Sequence, residues 1–384
     1  MSRYTDINIS TPQILTAASN TLPLPVVDWR LINQASPTPL HIEPGELPKA
    51  DTVLVTWTSA EWSALDHVML NSHQERFPQD IEWRKNWLGY ADNHEVSPYC
   101  DSPENPPIFY FQLVSVNGAD NQQQRVLLVK SQVHLAHPPW LSGLEAMTDI
   151  LLRKSEAKRI ISTGTAGGGS IADMLGAAIV TNKAHILLAK PENESCPYNH
   201  HTFTCESWFP STSLYASTQH ALMFAMDQVW NNNTIDDAIT ELNQDPQGDQ
   251  SDNQPTYTYQ DLINAPLDPS NLKQAQIKVS KGQPLLTTDY YFIEGKEPSD
   301  PYCFLEMDDA VIAHQAELAG IDYAFIRNVS DPIVVTHTAN GELIPDSVRG
   351  NWSGIIYKRC GFYSSFNSVM MCWAAIAGEG KKPE

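Results

Sequence analysis

Short apolar runs and helix-spaced apolar residues alternate along most of the chain, and they predict a definite order of elements. DTVLVTW reads as a strand, and SAEWSALDHVML after it sets Trp62, Leu65, Val68 and Met69 at helical spacing. IFYFQLVSV and RVLLVKSQV, parted by the polar NGADNQQQ, predict a hairpin. A helix over WLSGLEAMTDILLRK, the strand RIISTGT and further strand in AAIVTNKAHILL follow. Later come QPLLTTDYYFI, a helix over EMDDAVIAHQAELAG whose inward stripe is Met307, Ala310, Val311, His314 and Leu318, and the strand IDYAFIRNVSD. The C-terminal FYSSFNSVMMCWAAIAG reads as a buried helix, because Ser and Asn interrupt it and no run of about eighteen apolar residues occurs.

Strands alternating with helices predict an α/β fold with a mainly parallel sheet, whose sites lie at strand ends. Residues 1–48, rich in proline and without a period, are expected to form an arm, leaving 49–384 as one domain. Within it, about 190–275 is a polar, acidic insertion with one helix expected over STQHALMFAMDQVW, and its composition predicts a solvated loop.

Charge and cysteine content narrow the functional classes. A formal net charge of -21 argues against a nucleic-acid surface, which requires a basic footprint. The six cysteines form no C-x-x-C pair, so neither a zinc site nor a disulfide framework is expected, and they read as reduced cytoplasmic thiols. The N-terminus lacks an apolar signal core.

Four polar groups stand at strand ends or helix starts: Glu61 after VLVTW, Thr165 in the glycine-rich IISTGTAGGGS, Asp308 at the head of a helix and Asp331 at the end of IDYAFIRNVSD. Each alone is what a cap or turn former would be. Jointly they mark one pocket. The glycines ask what must approach their backbone so closely.

These segments resemble, in order, those of the purine nucleoside phosphorylase and nucleosidase superfamily, methylthioadenosine/S-adenosylhomocysteine nucleosidase-like members in particular. STGTAGGG with GAAIV is similar to N-T-G-S-A-G-G…G-D-I-V. EMDDAVIAHQAELAGIDYAFIRNVSD is similar to E-M-E-x-x-A-I-A…V-P-F-x-x-x-R-x-I-S-D, which contains Arg327. TTDYYFIEG resembles S-G-D-x-F-I, and VTWTSAEWSAL resembles the first-strand segment that ends in Glu. The likeness spans roughly residues 50 to 378 apart from the insertion. It implies a three-layer α/β/α fold with a mixed, mainly parallel central sheet, an N-glycosidase needing no cofactor or metal, a nucleoside as substrate, and a cytoplasmic homo-oligomer with neither nucleic-acid nor membrane partners.

The resemblance also implies roles. Asp331 would protonate the departing base, with Ser330 orienting it. Asp308, one methylene shorter than the family's Glu, would bind the sugar hydroxyls, with Asp309 as a possible helper and Met307 on the sugar face. Thr165, Ala166, Gly167 and Gly168 would line the nucleophile side. Aligned from Asp289 without a gap, Tyr291 and Phe292 face the base; shifted by one, Phe292 and Ile293 do. Glu61 matches the Glu that activates water in nucleosidases, and the G-D-P-x-R phosphate segment of phosphorylases is missing, Arg76 and Arg84 lying in no motif. Hydrolysis is therefore favoured, with phosphorolysis through Lys130, His134 or His137, or a binding module without turnover, as the alternatives.

Overall fold

The computed structural model describes residues 22–379 except Pro44, Asp92, Ser102, Asp120, Pro139, Glu194 and 245–255. Its strands are β1 (Thr38–Pro39), β2 (Thr52–Thr56), β3 (Leu88–Ala91), β4 (Val96–Pro98), β5 (Pro107–Asn117), β6 (Gln123–Ser131), β7 (Arg159–Gly168), β8 (Ala178–Thr181), β9 (Lys183–Leu187), β10 (Thr202–Thr204), β11 (Ile277–Ser280), β12 (Leu285–Thr288), β13 (Phe304–Glu306) and β14 (Asp322–Asp331). Its helices are α1 (Ser59–Leu70), α2 (Trp140–Ser155), α3 (Tyr215–Ala221), α4 (Asn232–Gln244), α5 (Tyr259–Leu262), α6 (Asp309–Ala319) and α7 (Asp346–Ala377).

The strands make one mixed sheet, and its centre is parallel: β6, β2, β7 and β14 pair side by side in one direction. These central strands are buried over most of their length, which is why they read as unbroken apolar runs. Antiparallel pairs lie outside them, among them the expected β5–β6 hairpin. Helix α7 packs along β7 and β14 and against α1, α3 and α4, while α2 and α6 pack on each other and on the sheet. The architecture is the expected three-layer α/β/α. No helix among the described residues is long and apolar enough to cross a membrane. All six cysteines are free.

Four expectations need correction. First, β7 does not end at Thr165 but runs on through Gly167 and Gly168 before the chain reaches the expected further strand at β8. Second, α6 starts at Asp309 with Asp308 as its N-cap, so Leu318 faces solvent at 71% exposure and Met307 precedes the helix. Third, the arm is anchored where it is described: Leu24 is buried and bridged to Arg76, and the Trp29 ring sits 4.3 Å from that of Trp373 on α7.

The fourth concerns the insertion, which packs where it was expected to be solvated. Ile235, Ala238 and Leu242 of α4 are buried on one stripe, and Glu241 pairs with Lys358 at 3.0 Å and Arg359 at 2.7 Å on α7. The helix expected over STQHALMFAMDQVW breaks after α3 into a short turn at Met226–Gln228. Residues 245–255, the most polar part of the insertion, and 1–21 of the arm lie outside the described residues.

Candidate active site

A cavity opens where the central strands end. Trp57 and Thr58 enter it from the end of β2, Thr165 and Gly167 from β7, Arg327 and Asp331 from β14, and Glu306, Met307 and Asp308 from the junction of β13 and α6. Tyr290, Tyr291 and Phe292 follow β12, and Gly354 and Tyr357 reach in from α7.

Glu61 occupies the third position of α1 and closes a capping box with Thr58. Its Oε2 accepts from the Thr56 hydroxyl at 3.0 Å, Trp57 N–H at 2.9 Å and Thr58 N–H at 2.8 Å. Its Oε1 accepts from the backbone and hydroxyl of Thr165, both at 2.7 Å. This carboxylate explains one glycine. A Cβ on Gly164 would lie 2.7 Å from the Glu61 carboxyl and 2.9 Å from Arg327 Nη1. At Gly169 a Cβ would meet the carbonyl of Tyr302 at 2.2 Å. Protein atoms, not an approaching sugar, therefore exclude side chains at these two positions, whereas Gly167 and Gly168 have ordinary room.

Behind the cavity Arg327 gathers a buried ionic cluster. Its Nε donates to Asp309 Oδ2 at 2.9 Å, and its Nη2 to Asp309 Oδ1 at 2.5 Å and Glu306 Oε2 at 3.0 Å. The backbone of Asp308 and of Asp309 also donate to Glu306 Oε2, and Thr287 bonds Oε1. Burial works against the arginine's charge, but Asp309 and Glu306 outweigh it and hold the guanidinium protonated. Burial, reinforced by Asp309, pushes the Glu306 carboxyl up to about 8. Asp309 does not line the cavity; it anchors Arg327 and accepts from Ser162 at 2.5 Å.

Asp308 is held from the β6–α2 loop. Leu135 N–H donates to its Oδ1 at 2.9 Å, and His134 Nε2 lies 3.1 Å from Oδ2. Ala136 N–H donates to His134 Nδ1 at 3.2 Å, so a neutral ring carries its proton on Nε2, facing Asp308. Burial drives the imidazole down to about 3, keeping it neutral. Burial and then the neighbouring Glu306 push Asp308 well above the usual carboxylate range.

Asp331 has a different shell. Its Oδ1 accepts from the Tyr291 hydroxyl at 3.0 Å and from Ser353 Oγ on α7, and its Oδ2 from Ser330 Oγ at 2.7 Å. Burial raises its pKa, and the hydroxyls only partly offset that.

Of the expected residues, Glu61, His134, Thr165, Gly167, Tyr291, Phe292, Met307, Asp308, Arg327 and Asp331 share the cavity wall. Ser330 bonds Asp331 without lining the cavity, Ala166 is buried in β7, and Ile293 is buried off the cavity with its carbonyl bonded to Arg349. Tyr291 and Phe292 line the cavity together with Tyr290, and Ile293 does not. His137 stays outside the lining, its ring 5.7 Å from that of His134, and Lys130 is buried against Gln132. Unforeseen lining residues include Trp57, Thr58, Tyr290, Glu306 and Tyr357. Glu306 opens the E-M-D motif and was readable there; Tyr357 and Ser353 carry no local signal, because their segment reads as core helix.

Neither a protein-family model nor a curated protein sequence matches the chain. Solved structures similar to it include the 5'-methylthioadenosine/S-adenosylhomocysteine nucleosidase of Neisseria meningitidis in complex with methylthio-immucillin-A, 12% identical, covering 85% of this chain and 99% of that one with a TM-score of 0.41. The Streptococcus pneumoniae MTA/SAH nucleosidase in complex with 8-aminoadenine is 10% identical, covering 86% and 100% at 0.42. The futalosine hydrolase of Helicobacter pylori is 9% identical, covering 84% and 98% at 0.39.

Proposed function

We propose that the protein hydrolyses the N-glycosidic bond of a purine-type nucleoside or nucleoside derivative, releasing the free base. The observation that carries this is a pair of carboxyls in one cavity with opposite hydrogen-bonding shells. All three donors to Asp331 are hydroxyls, which can turn round and accept, so the group is satisfied both protonated and ionised. Three of the five donors to Glu61 are backbone N–H groups, which can only donate, so its oxygens are held as acceptors. One carboxyl whose partners can accept its proton and one ringed by fixed donors suit the two roles of acid and base.

In this reading Asp331 gives its proton to the base as the C–N bond breaks and the bonding electrons leave with the base. Water attacks the anomeric carbon. Its proton passes to the Thr165 hydroxyl as that group hands its own to Glu61 Oε1. Asp308 retains lone pairs for the sugar hydroxyls, Met307 lies on the sugar face, and Tyr291 and Phe292 flank the base. Four carboxyls and one guanidinium line the cavity, and that guanidinium is already committed to Asp309 and Glu306. Among the described residues a phosphate dianion would find no uncommitted cation lining the cavity, which favours water as nucleophile. The resemblance adds the expectation of a cytoplasmic homo-oligomer.

Incubation with a panel of nucleosides, with and without phosphate, tests the reading. Free base and free ribose at a rate indifferent to phosphate is the expected outcome. Ribose 1-phosphate would establish a phosphorylase instead, and tight binding without base release would establish a binding module.

A further inference from the structure

Resting on that reading, the shell of Asp331 assigns two further residues, neither of which the acid's own strand supplies. Tyr291 comes from the loop after β12 and Ser353 from the second turn of α7. Their oxygens lie 3.0 Å apart, and both reach the same carboxyl oxygen, Oδ1. Among the described residues Oδ2 has the adjacent Ser330 alone. Protonating Oδ1 would force one of two coupled hydroxyls to give up its donor role, whereas protonating Oδ2 needs only Ser330 to turn.

We propose that Tyr291 and Ser353 are positioning residues that occupy Oδ1 of Asp331, so that Oδ2 is the oxygen that carries the proton and delivers it to the leaving base. Ser353 is buried, and its neighbours Gly354 and Tyr357 line the cavity, so α7 forms the wall against which the acid is held. The titratable groups facing Asp331 are Tyr291 itself and Tyr357, which bonds Thr58 at 3.1 Å. Burial raises both phenols above their ordinary value, so neither ionises in the working range.

Tyr291→Phe keeps the ring and Ser353→Ala keeps the helix, while each removes one donor to Oδ1. A donor to a carboxylate favours its ionised form, so its loss raises the acid's pKa. Two measurements on the full chain test the proposal. In the first, the Asp331 carboxyl carbon, assigned in NMR spectra by its loss in Asp331→Asn, is titrated in wild type and in each variant. The expected result is an upward shift of about one pH unit in each variant. An unmoved titration overturns the proposal, even if the protein hydrolyses nothing. In the second, where base release is found, each variant should lower kcat about tenfold with little change in KM, and the double variant little more, because both groups serve one oxygen. The alkaline limb of the rate profile should move to higher pH with the titration. A raised KM at unchanged kcat would reduce Tyr291 to a stacking ring and overturn its assignment. Should Ser353→Ala fail to fold, Ser353→Thr retains the hydroxyl and should leave both titration and kcat near wild type; loss of either there counts against the proposal.

Discussion

Thr165 donates its backbone N–H and its hydroxyl to one oxygen of Glu61, each at 2.7 Å, and so ties the glycine-rich end of β7 to the first turn of α1. One carboxylate thereby caps a helix, fixes two strand ends and faces the cavity.

Glu61→Gln tests that dual role. Whichever way the amide turns, its NH₂ replaces an oxygen that accepts from at least one backbone N–H, and a buried donor left unpaired costs about 1–3 kcal/mol. The variant should melt a few degrees lower, and base release should be nearly abolished. Base release at the wild-type rate would remove Glu61 from the mechanism.

Gly164→Ala should reproduce the defect from the other side. The new methyl would press on the Glu61 carboxyl and on Arg327, and overpacking of this kind destabilises by about 1–3 kcal/mol. Because both changes strike one contact, the double variant should be less damaged than the sum of the singles, as a denaturation cycle would reveal. Strict additivity would show that Gly164 is required for another reason.

The elements around this contact were legible because periodicity reports burial. Strands β2, β7 and β14 and helix α1 appear where apolar runs and helical spacing put them, and the motif residues Asp308 and Asp331 fall on one cavity. What was not legible came from long-range packing. Nothing local to EMDD indicates that Glu306 ends a strand while Asp309 is spent on Arg327, because those partners lie on other strands, beyond the helix or before the loop that precedes β13. The insertion misled for a related reason: its mean composition is polar, but α4 concentrates its few apolar residues on one stripe.

Asp331→Asn keeps the shape of the side chain and removes the transferable proton. Base release should fall by about the 10²–10⁴-fold typical of losing a general acid, with substrate binding little changed. Turnover near wild type would exclude Asp331 as the acid.

The packed insertion makes its own prediction. Leu242 is 3% exposed, and Leu242→Ala should cost about 2–5 kcal/mol in denaturant unfolding, as core truncations do. A change under about 0.5 kcal/mol, typical of exposed positions, would restore the solvated-loop view. Asn243 and Tyr257, which exchange two 2.9 Å hydrogen bonds, mark the edge of that packed part.

Acid stability depends on two adjacent buried groups near the end of α1, Asp66 and His67. Arg76 Nε donates to His67 Nδ1 at 3.3 Å, so the neutral ring carries its proton on Nε2 and gives it to the carbonyl of Pro25 at 2.8 Å. Burial pushes this histidine down from 6.5 to about 4. Between those values the unfolded chain takes up a proton that the folded protein refuses, so stability falls as pH falls through the window, by up to about 3 kcal/mol. Asp66 acts in the opposite sense. Burial raises it from 3.8 to about 6, outweighing Arg76, so the folded state binds the proton first and stability rises as pH falls from about 6 to 4. The two largely offset each other in wild type, and a single replacement should expose the imbalance. His67→Gln retains a donor for Pro25 but cannot titrate. The stability of wild type minus that of His67→Gln, taken from urea curves at several pH values, should shrink by up to about 3 kcal/mol between pH 7 and pH 4. The difference cancels every group the two proteins share, so a flat line would mean that His67 is protonated as readily inside the fold as outside it.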